Sequence, residues 1–320
     1  MGRVLAPCDT AVDMDIRIDD AAAAIAPWVR RTPALALAAG SLGVDVPLVL
    51  KLESMQRGGS FKARGAFTKL LLDDVPSAGV AAASGGNHGV AVAHAARALG
   101  VRAEIFLHSG TAPAKRARVA AEEAEIHLAG SSYAEAEAAC RAHVAATGAL
   151  WVPAYDDPLV VAGQGTTARE LWDQEPVDTL LIAVGGGGLI GGCAAWLAGR
   201  ARVVGVETRG TPTLHEALRA GHPVDIEVGG MAVDALSARR AGALPFEIAR
   251  RFVDRVVLVD DEDLQRAQRR LWSELRLAVE LAAASGLAAL ASGAYRPAPG
   301  ERVGIVVCGG NVDPSGLGYA

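Results

Sequence analysis

The chain is poor in lysine: of its 31 basic residues only Lys51, Lys62, Lys69 and Lys115 carry an amine. Any chemistry that requires a side-chain amine therefore has four candidates. It has only four cysteines, Cys8, Cys140, Cys193 and Cys308, and no CxxC pair. That spacing excludes a zinc knuckle or a disulfide framework and implies reduced, cytoplasmic thiols. There is no block of five or six like charges, and 31 basic against 36 acidic residues give a net charge of -5. A nucleic-acid partner, which needs a basic stripe for phosphates, is not expected. No histidine belongs to an HExxH pair and no GxSxG elbow occurs, so a zinc protease or an α/β-hydrolase finds no support. The N-terminus places Asp9, Asp13 and Asp15 ahead of any apolar stretch and shows no export signal. Leu180 to Gly199 is twenty residues without a charge, but Gly185–Gly188 interrupts it, which argues against a membrane span.

What the chain does have is 320 residues, 51% of them hydrophobic, enough for one large or two medium domains with a sizeable core. Apolar, β-branched runs alternate with segments of helical period. The runs predict strands at Val46–Leu52, Val80–Ser84, Ala103–Leu107, Leu150–Pro153, Thr179–Val184, Arg202–Glu207, Arg255–Val259 and Arg302–Cys308. The periodic segments predict helices at Phe61–Leu72, His88–Leu99, Pro113–Glu122, Tyr133–Thr147 and Leu264–Leu277. This alternation implies βαβ units and an α/β fold of mostly parallel sheets, and the lack of polar alternation in the strands implies that helices cover both sheet faces. Seams near Val75–Ser77 and Trp151–Pro153 divide the chain into a large domain, 1–74 with 151–320, and a small domain, 75–150. The first 13 residues are unpatterned and read as a disordered extension.

Ligands of open α/β sheets bind beyond the carboxyl ends of the strands, so the residues that follow strands are the ones to inspect. Gly185–Gly188 stands between a strand and a helix, where backbone N–H groups and a helix N-terminus can cradle a phosphate. The same stretch, with Glu207 ending the next strand, also satisfies a dinucleotide fingerprint and leaves a nicotinamide-dependent oxidoreductase open as an alternative. Lys62 follows Gly58, Gly59 and Ser60, with Ser60 as a candidate cap for the helix it opens. A lysine desolvated at such a junction has the lowered pKa that Schiff-base chemistry requires. Lys51, Lys69 and Lys115 read as structural. Ser84, Asn87 and His88 lie where a strand gives way to a helix, either capping it or facing a ligand. Cys308 ends a strand, as a small buried hydrophobe or as a weak S–H donor.

Five segments taken together carry a resemblance: Gly59-Ser60-Phe61-Lys62-Ala63-Arg64-Gly65-Ala66, Ser84-Gly85-Gly86-Asn87-His88-Gly89, Ala162-Gly163-Gln164-Gly165-Thr166, Gly185-Gly186-Gly187-Gly188-Leu189 and Cys308-Gly309-Gly310-Asn311. In their order and spacing, from about Asp15 onward, the chain resembles pyridoxal-phosphate enzymes of fold type II, specifically the serine/threonine dehydratase and serine racemase family. The resemblance implies pyridoxal 5'-phosphate as cofactor and Lys62 as the catalytic Schiff-base lysine. It implies Phe61 packed beside the cofactor, Asn87 on the ring hydroxyl, Gly185, Gly186, Gly187, Gly188 and Leu189 at the phosphate, and Cys308 facing the pyridine nitrogen. Ser84, Gly85, Gly86 and His88 would form the loop that binds the substrate carboxylate. The implied activity is β-elimination of a 3-hydroxy amino acid such as L-threonine or L-serine to a 2-oxo acid and ammonia, by a homodimer or homotetramer. β-Replacement and racemisation are the sister readings.

Departures from the family pattern narrow this. Gly85 stands where racemases carry a serine as second acid/base, which speaks against two-base racemisation. Gly58 and Arg57 replace the common Thr and Pro, pointing to an unusual substrate. Thr213 occupies the position of the second acid of a divalent-cation site that would begin at Glu207, so no metal is expected there. The chain ends at Ala320 without a regulatory domain, so feedback control by isoleucine is not expected.

Overall fold

A computed structural model describes residues 17–313, so the extension expected over the first 13 residues lies outside the described residues. Six strands form one sheet in the order β1 (Ala34–Leu37), β2 (Leu48–Lys51), β10 (Val303–Val306), β7 (Thr179–Ala183), β8 (Arg202–Thr208) and β9 (Arg255–Val259). All its pairings are parallel except β1 with β2. A second, wholly parallel sheet runs β5 (Glu125–Leu128), β4 (Ala103–Leu107), β3 (Val80–Ala83) and β6 (Leu150–Trp151). Every residue of β2, β3, β4, β7 and β10 is buried, whichever face it points to. Helices therefore cover both faces of both sheets, as the unalternating strands imply. All eight expected strands are present, several shortened by one to three residues. The two that sequence patterning misses, β1 and β5, are four-residue edge strands, too short for a period to register.

The helices are α1 (Ile18–Ile25), α2 (Lys62–Leu72), α3 (Asn87–Leu99), α4 (Pro113–Ala120), α5 (Tyr133–Thr147) and α6 (Pro158–Gln174). After them come α7 (Gly188–Leu197), α8 (Thr213–Ala220), α9 (Ala243–Phe252), α10 (Asp261–Leu275) and α11 (Ser285–Ala291). The five helices expected from periodicity correspond to α2, α3, α4, α5 and α10. Among those missed, α6 carries legible signals: Asp157 accepts the N–H groups of Leu159 and Val160 at 2.9 and 3.0 Å, and Pro158 is its first residue. α7 is hidden by its glycines, whose reason is contact. A Cβ on Gly192 would lie 2.3 Å from the Val161 carbonyl, and one on Gly165 would lie 2.7 Å from that of Gly192. α6 and α7 therefore cross backbone to backbone. The uncharged stretch 180–199 is divided between β7 and α7, and among the described residues no helix is long and apolar enough to cross a membrane.

A buried cluster of charges pins α2 to the larger sheet. The Arg64 guanidinium donates to both oxygens of Glu53, at 2.8 and 2.7 Å, and to Glu170 at 3.0 Å. Lys51, at the end of β2, donates to Glu170 at 2.5 Å and to the Thr32 carbonyl at 2.7 Å. Arg64 is 1% exposed and Lys51 and Glu53 are 0% exposed, so with the partly exposed Glu170 two cations and two anions neutralise each other largely away from water. Replacing Arg64 by Met leaves two carboxylates facing one lysine. We expect Arg64→Met to lose about 3–5 kcal/mol of unfolding free energy in urea denaturation; a loss under about 1 kcal/mol would show that the cluster does not carry the junction.

Candidate active site

Lys62 opens α2 immediately after a tight turn in which Gly58 and Gly59 have φ of +65° and +75°. A Cβ on Gly59 would lie 2.4 Å from Asn311 Oδ1, so the turn is held against the chain end that follows β10. Ser60 bridges to Gly309, and the Phe61 N–H donates to the Cys308 carbonyl at 3.1 Å. The Ser60 hydroxyl does not cap α2: it is buried and without a partner, because the bridge to Gly309 fixes it in an extended strand-like conformation. Lys62 Nζ donates to the Ala154 carbonyl at 2.6 Å and lies 5.2 Å from the centre of the Phe61 ring. Burial lowers its pKa to about 8. The other lysines are neutralised by carboxylates: Lys51 by Glu170 at 2.5 Å, Lys69 by Asp157 at 2.7 Å and Asp73 at 2.6 Å, Lys115 by Asp234 at 2.9 Å.

The loop 84–86 leaves β3 and leads into α3, whose N-cap Gly86 offers no side chain. Neither Asn87 nor His88 caps the helix. Ser84 Oγ accepts the Gly86 N–H at 3.2 Å, and a Cβ on Gly85 would lie 2.6 Å from Thr111 Cγ2. Asn87 Nδ2 donates to both oxygens of Glu280 at 2.9 Å, and its Oδ1 accepts from Asn311 Nδ2 at 2.8 Å. The Asn311 N–H in turn donates to Glu280 at 2.9 Å. His88 is 6% exposed and turned to the Val152 carbonyl at 2.9 Å. Burial and the nearby Lys62 depress its pKa to about 3, so the ring is neutral and its Nε2–H donates to Val152.

Gly185–Gly188 runs from β7 into α7, with Gly187 at φ +97° as a cap that has no side chain. Leu189 follows in the first turn and is buried. Tyr155, the neighbour of the Lys62 acceptor, lies flat on this loop: a Cβ on Gly186 would fall 2.3 Å from its ring. Cys308 is 6% exposed, and burial pushes its thiol well above the usual range, so it is a neutral S–H. Lys62, Ser84–His88, Gly185–Leu189 and Cys308 thus all lie at the carboxyl ends of β2, β3, β7 and β10. Glu207 stands apart. Its buried carboxylate accepts the N–H groups of Leu214 and His215 at 2.7 and 2.9 Å, while burial pushes its pKa up to about 8. Bound to the head of α8, it is not free for the ribose that a dinucleotide reading assigns it, and the Thr213 hydroxyl is engaged with the Ala238 carbonyl at 2.7 Å.

Sequence reasoning missed Glu280, Asn311 as a donor, and Tyr155. Glu280 left a signal, as the one acid in the apolar run 277–284. Tyr155 left none. The donor set fits a phosphorylated aldehyde: a glycine-lined helix start without a side-chain cap for the anion, an amine of lowered pKa for the carbonyl, and a buried hydroxyl on Ser60 still without a partner.

Comparison with known proteins points the same way. The family described as pyridoxal-phosphate dependent enzyme matches residues 25–309. The chain is 35% identical over 292 residues to the phenylserine dehydratase of Ralstonia pickettii, with 89% of each protein covered. It is 37% identical over 291 residues to the L-threonine ammonia-lyase of Geobacter sulfurreducens, covering 89% of this chain and 72% of that protein. Its structure matches that of maize serine racemase with a TM-score of 0.88, 33% identity and 94% of each chain covered.

The pH at which Lys62 loses its proton is directly testable, because only the neutral amine attacks an aldehyde. Below about pH 8 the rate at which the protein captures pyridoxal phosphate, trapped on Lys62 with borohydride and read by mass spectrometry, should rise about tenfold per pH unit and level off above it. A midpoint above pH 10 would mean that the amine is not desolvated.

Proposed function

The chain belongs to the family of pyridoxal-phosphate dependent enzymes, and from that premise we propose that it is a lyase that eliminates water from a 3-hydroxy amino acid, releasing a 2-oxo acid and ammonia. The observation that carries this reading is Lys62, the lysine without a carboxylate partner, lowered to about 8 beside a neutral thiol and an uncapped glycine loop. Pyridoxal phosphate, when bound, supplies an electron sink for the carbanion left at Cα.

The rest of the chemistry belongs to this chain's residues. Lys62 would hold the cofactor through its amine and would take the Cα proton as general base, a role for which a pKa lowered to about 8 is suited. Gly185–Gly188 and Leu189 would present backbone N–H groups to the phosphate, Phe61 would pack beside the ring, and Asn87 would hold the ring hydroxyl. Glu280 and Asn311 keep the Asn87 amide in place. Cys308, a neutral thiol, would face the pyridine nitrogen as an uncharged donor and would leave that nitrogen unprotonated, which would favour prompt elimination over slower carbanion chemistry. Ser84 and the backbone N–H groups of Gly85, Gly86 and His88, at the head of α3, hold the substrate carboxylate. The His88 ring supports the loop from behind through Val152.

Racemisation is the second reading, favoured by the match to maize serine racemase. Gly85 argues against it, since glycine offers no acid/base to the opposite face of Cα. L-Threonine and L-serine are the proposed substrates, and the relative named phenylserine dehydratase extends the range to serines with a bulkier 3-substituent. Buried free thiols at Cys140, Cys193 and Cys308 support a cytoplasmic setting; a homodimer or homotetramer is part of the same proposal.

The test is turnover. The cofactor-loaded protein should convert at least one of L-threonine, L-serine and 3-phenylserine to its 2-oxo acid, and Lys62→Ala should slow this by about 1,000-fold or more. Full activity in Lys62→Ala would sink the assignment. Formation of the D-enantiomer without 2-oxo acid would move it to the racemase branch, and product from O-acetylserine with a thiol in place of 2-oxo acid would move it to β-replacement.

A further inference from the structure

A second cluster of reactive side chains lies on the four-stranded sheet, away from Lys62. Glu104 and Phe106 of β4 point to one face of the sheet, and the parallel register sets Glu125 and His127 of β5 beside them. α5 covers that face and contributes His143. Glu104 is 1% exposed, the second residue of a strand whose every other residue is apolar. Its two oxygens meet two imidazoles: Oε2 is 2.7 Å from His127 Nε2, and Oε1 is 3.0 Å from His143 Nε2. The second approach is not a hydrogen bond in its geometry, so His143 Nε2 stays buried without a hydrogen-bond partner, and Glu104 Oε1 has only ion-pair contacts, with His143 and Arg102. Glu125 Oε1 lies 3.6 Å from His127 Nε2, and ligand atoms of Glu104, Glu125 and His127 all fall within 4.8 Å of one another.

We propose that Glu104, His127 and His143, with Glu125 at the rim, bind a divalent transition-metal ion of the zinc class. Donors around an ion with bonds of about 2.1 Å stand about 3–3.5 Å apart, and the separations here bracket that spacing. Two imidazoles mixed with carboxylate select zinc, cobalt or nickel over magnesium or calcium, which take oxygen alone. Phe106 stacks on the His127 ring at 4.5 Å and 14° and lies 5.3 Å from that of His143, fixing both rings. His127 and Glu125 have side chains 32% and 54% exposed, which gives an entry path from solvent. The competing cation is Arg102, which reaches Glu104 Oε1 at 2.8 Å and Glu125 Oε2 at 3.1 Å. Its side chain is 58% exposed and free to swing away, so the metal ion and the guanidinium exchange places on the same carboxylates.

The experiment is zinc titration of the cofactor-loaded enzyme, stripped with a chelator and followed by equilibrium dialysis. One zinc per chain is expected at this site. His127→Gln and His143→Gln should each weaken it at least tenfold while leaving 2-oxo acid formation unchanged, and Arg102→Ala should tighten it. Turnover also certifies that each variant is folded. Zinc held equally by both histidine variants, or no stoichiometric zinc, overturns the proposal. If either histidine variant fails to fold, Arg102→Ala decides alone: unchanged affinity in that variant overturns the site.

Discussion

Four charges at the foot of α2, three of them buried and Glu170 partly so, are the constraint from which the rest of the structure follows. Arg64 uses its forked guanidinium to hold two carboxylates from different parts of the chain, Glu53 after β2 and Glu170 on α6, and Lys51 closes the set from β2 itself. In a dry interior none of these partners can be released singly, because each would leave an unpaired charge. The start of α2 is thereby fixed to the larger sheet. Lys62 lies two residues before Arg64, so its amine is aimed by a device that does not touch it. The same network sets Lys51 apart from Lys62: although fully buried, it has its charge consumed by Glu170.

Around Lys62 the structure collects groups that are uncharged in spite of being titratable. The Cys308 thiol is pushed up and the His88 ring is held near 3, so each is neutral, and the lysine is poised near 8. Burial is the first cause in all three. Glu280 is the acid in this setting; burial raises its pKa, and its oxygens are taken by Asn87 and Asn311 rather than by the lysine. Such a site offers a ligand directed hydrogen bonds, and on the proposed function the ligand's phosphate and carboxylate would meet the heads of α7 and α3.

The fold brings this about through close backbone contact. α6 and α7 cross at glycines, which seats the uncapped N-terminus of α7 beside the segment carrying Ala154 and Tyr155. Ala154 accepts from Lys62 while Tyr155 lies on the glycine loop, so one dipeptide links Lys62 to the Gly185–Gly188 loop.

Much of this was legible from residue order. Unalternating apolar runs announced eight strands, five of them wholly buried, and glycines after strands marked the loops. The scarcity of lysine reduced the amine to four candidates. Those signals are local: each strand, turn or cap is settled within about ten residues, where periodicity and backbone sterics act. Tertiary structure alone decided which lysine stands without an acid, that Glu280 grips Asn87 across 193 residues of sequence, that Ser60 caps nothing, that Glu207 serves the head of α8, and that Glu104 meets two histidines. In each case the outcome depends on which charges and donors are brought together and sealed from water by segments distant in the chain, and burial of that kind leaves no periodic trace in the sequence.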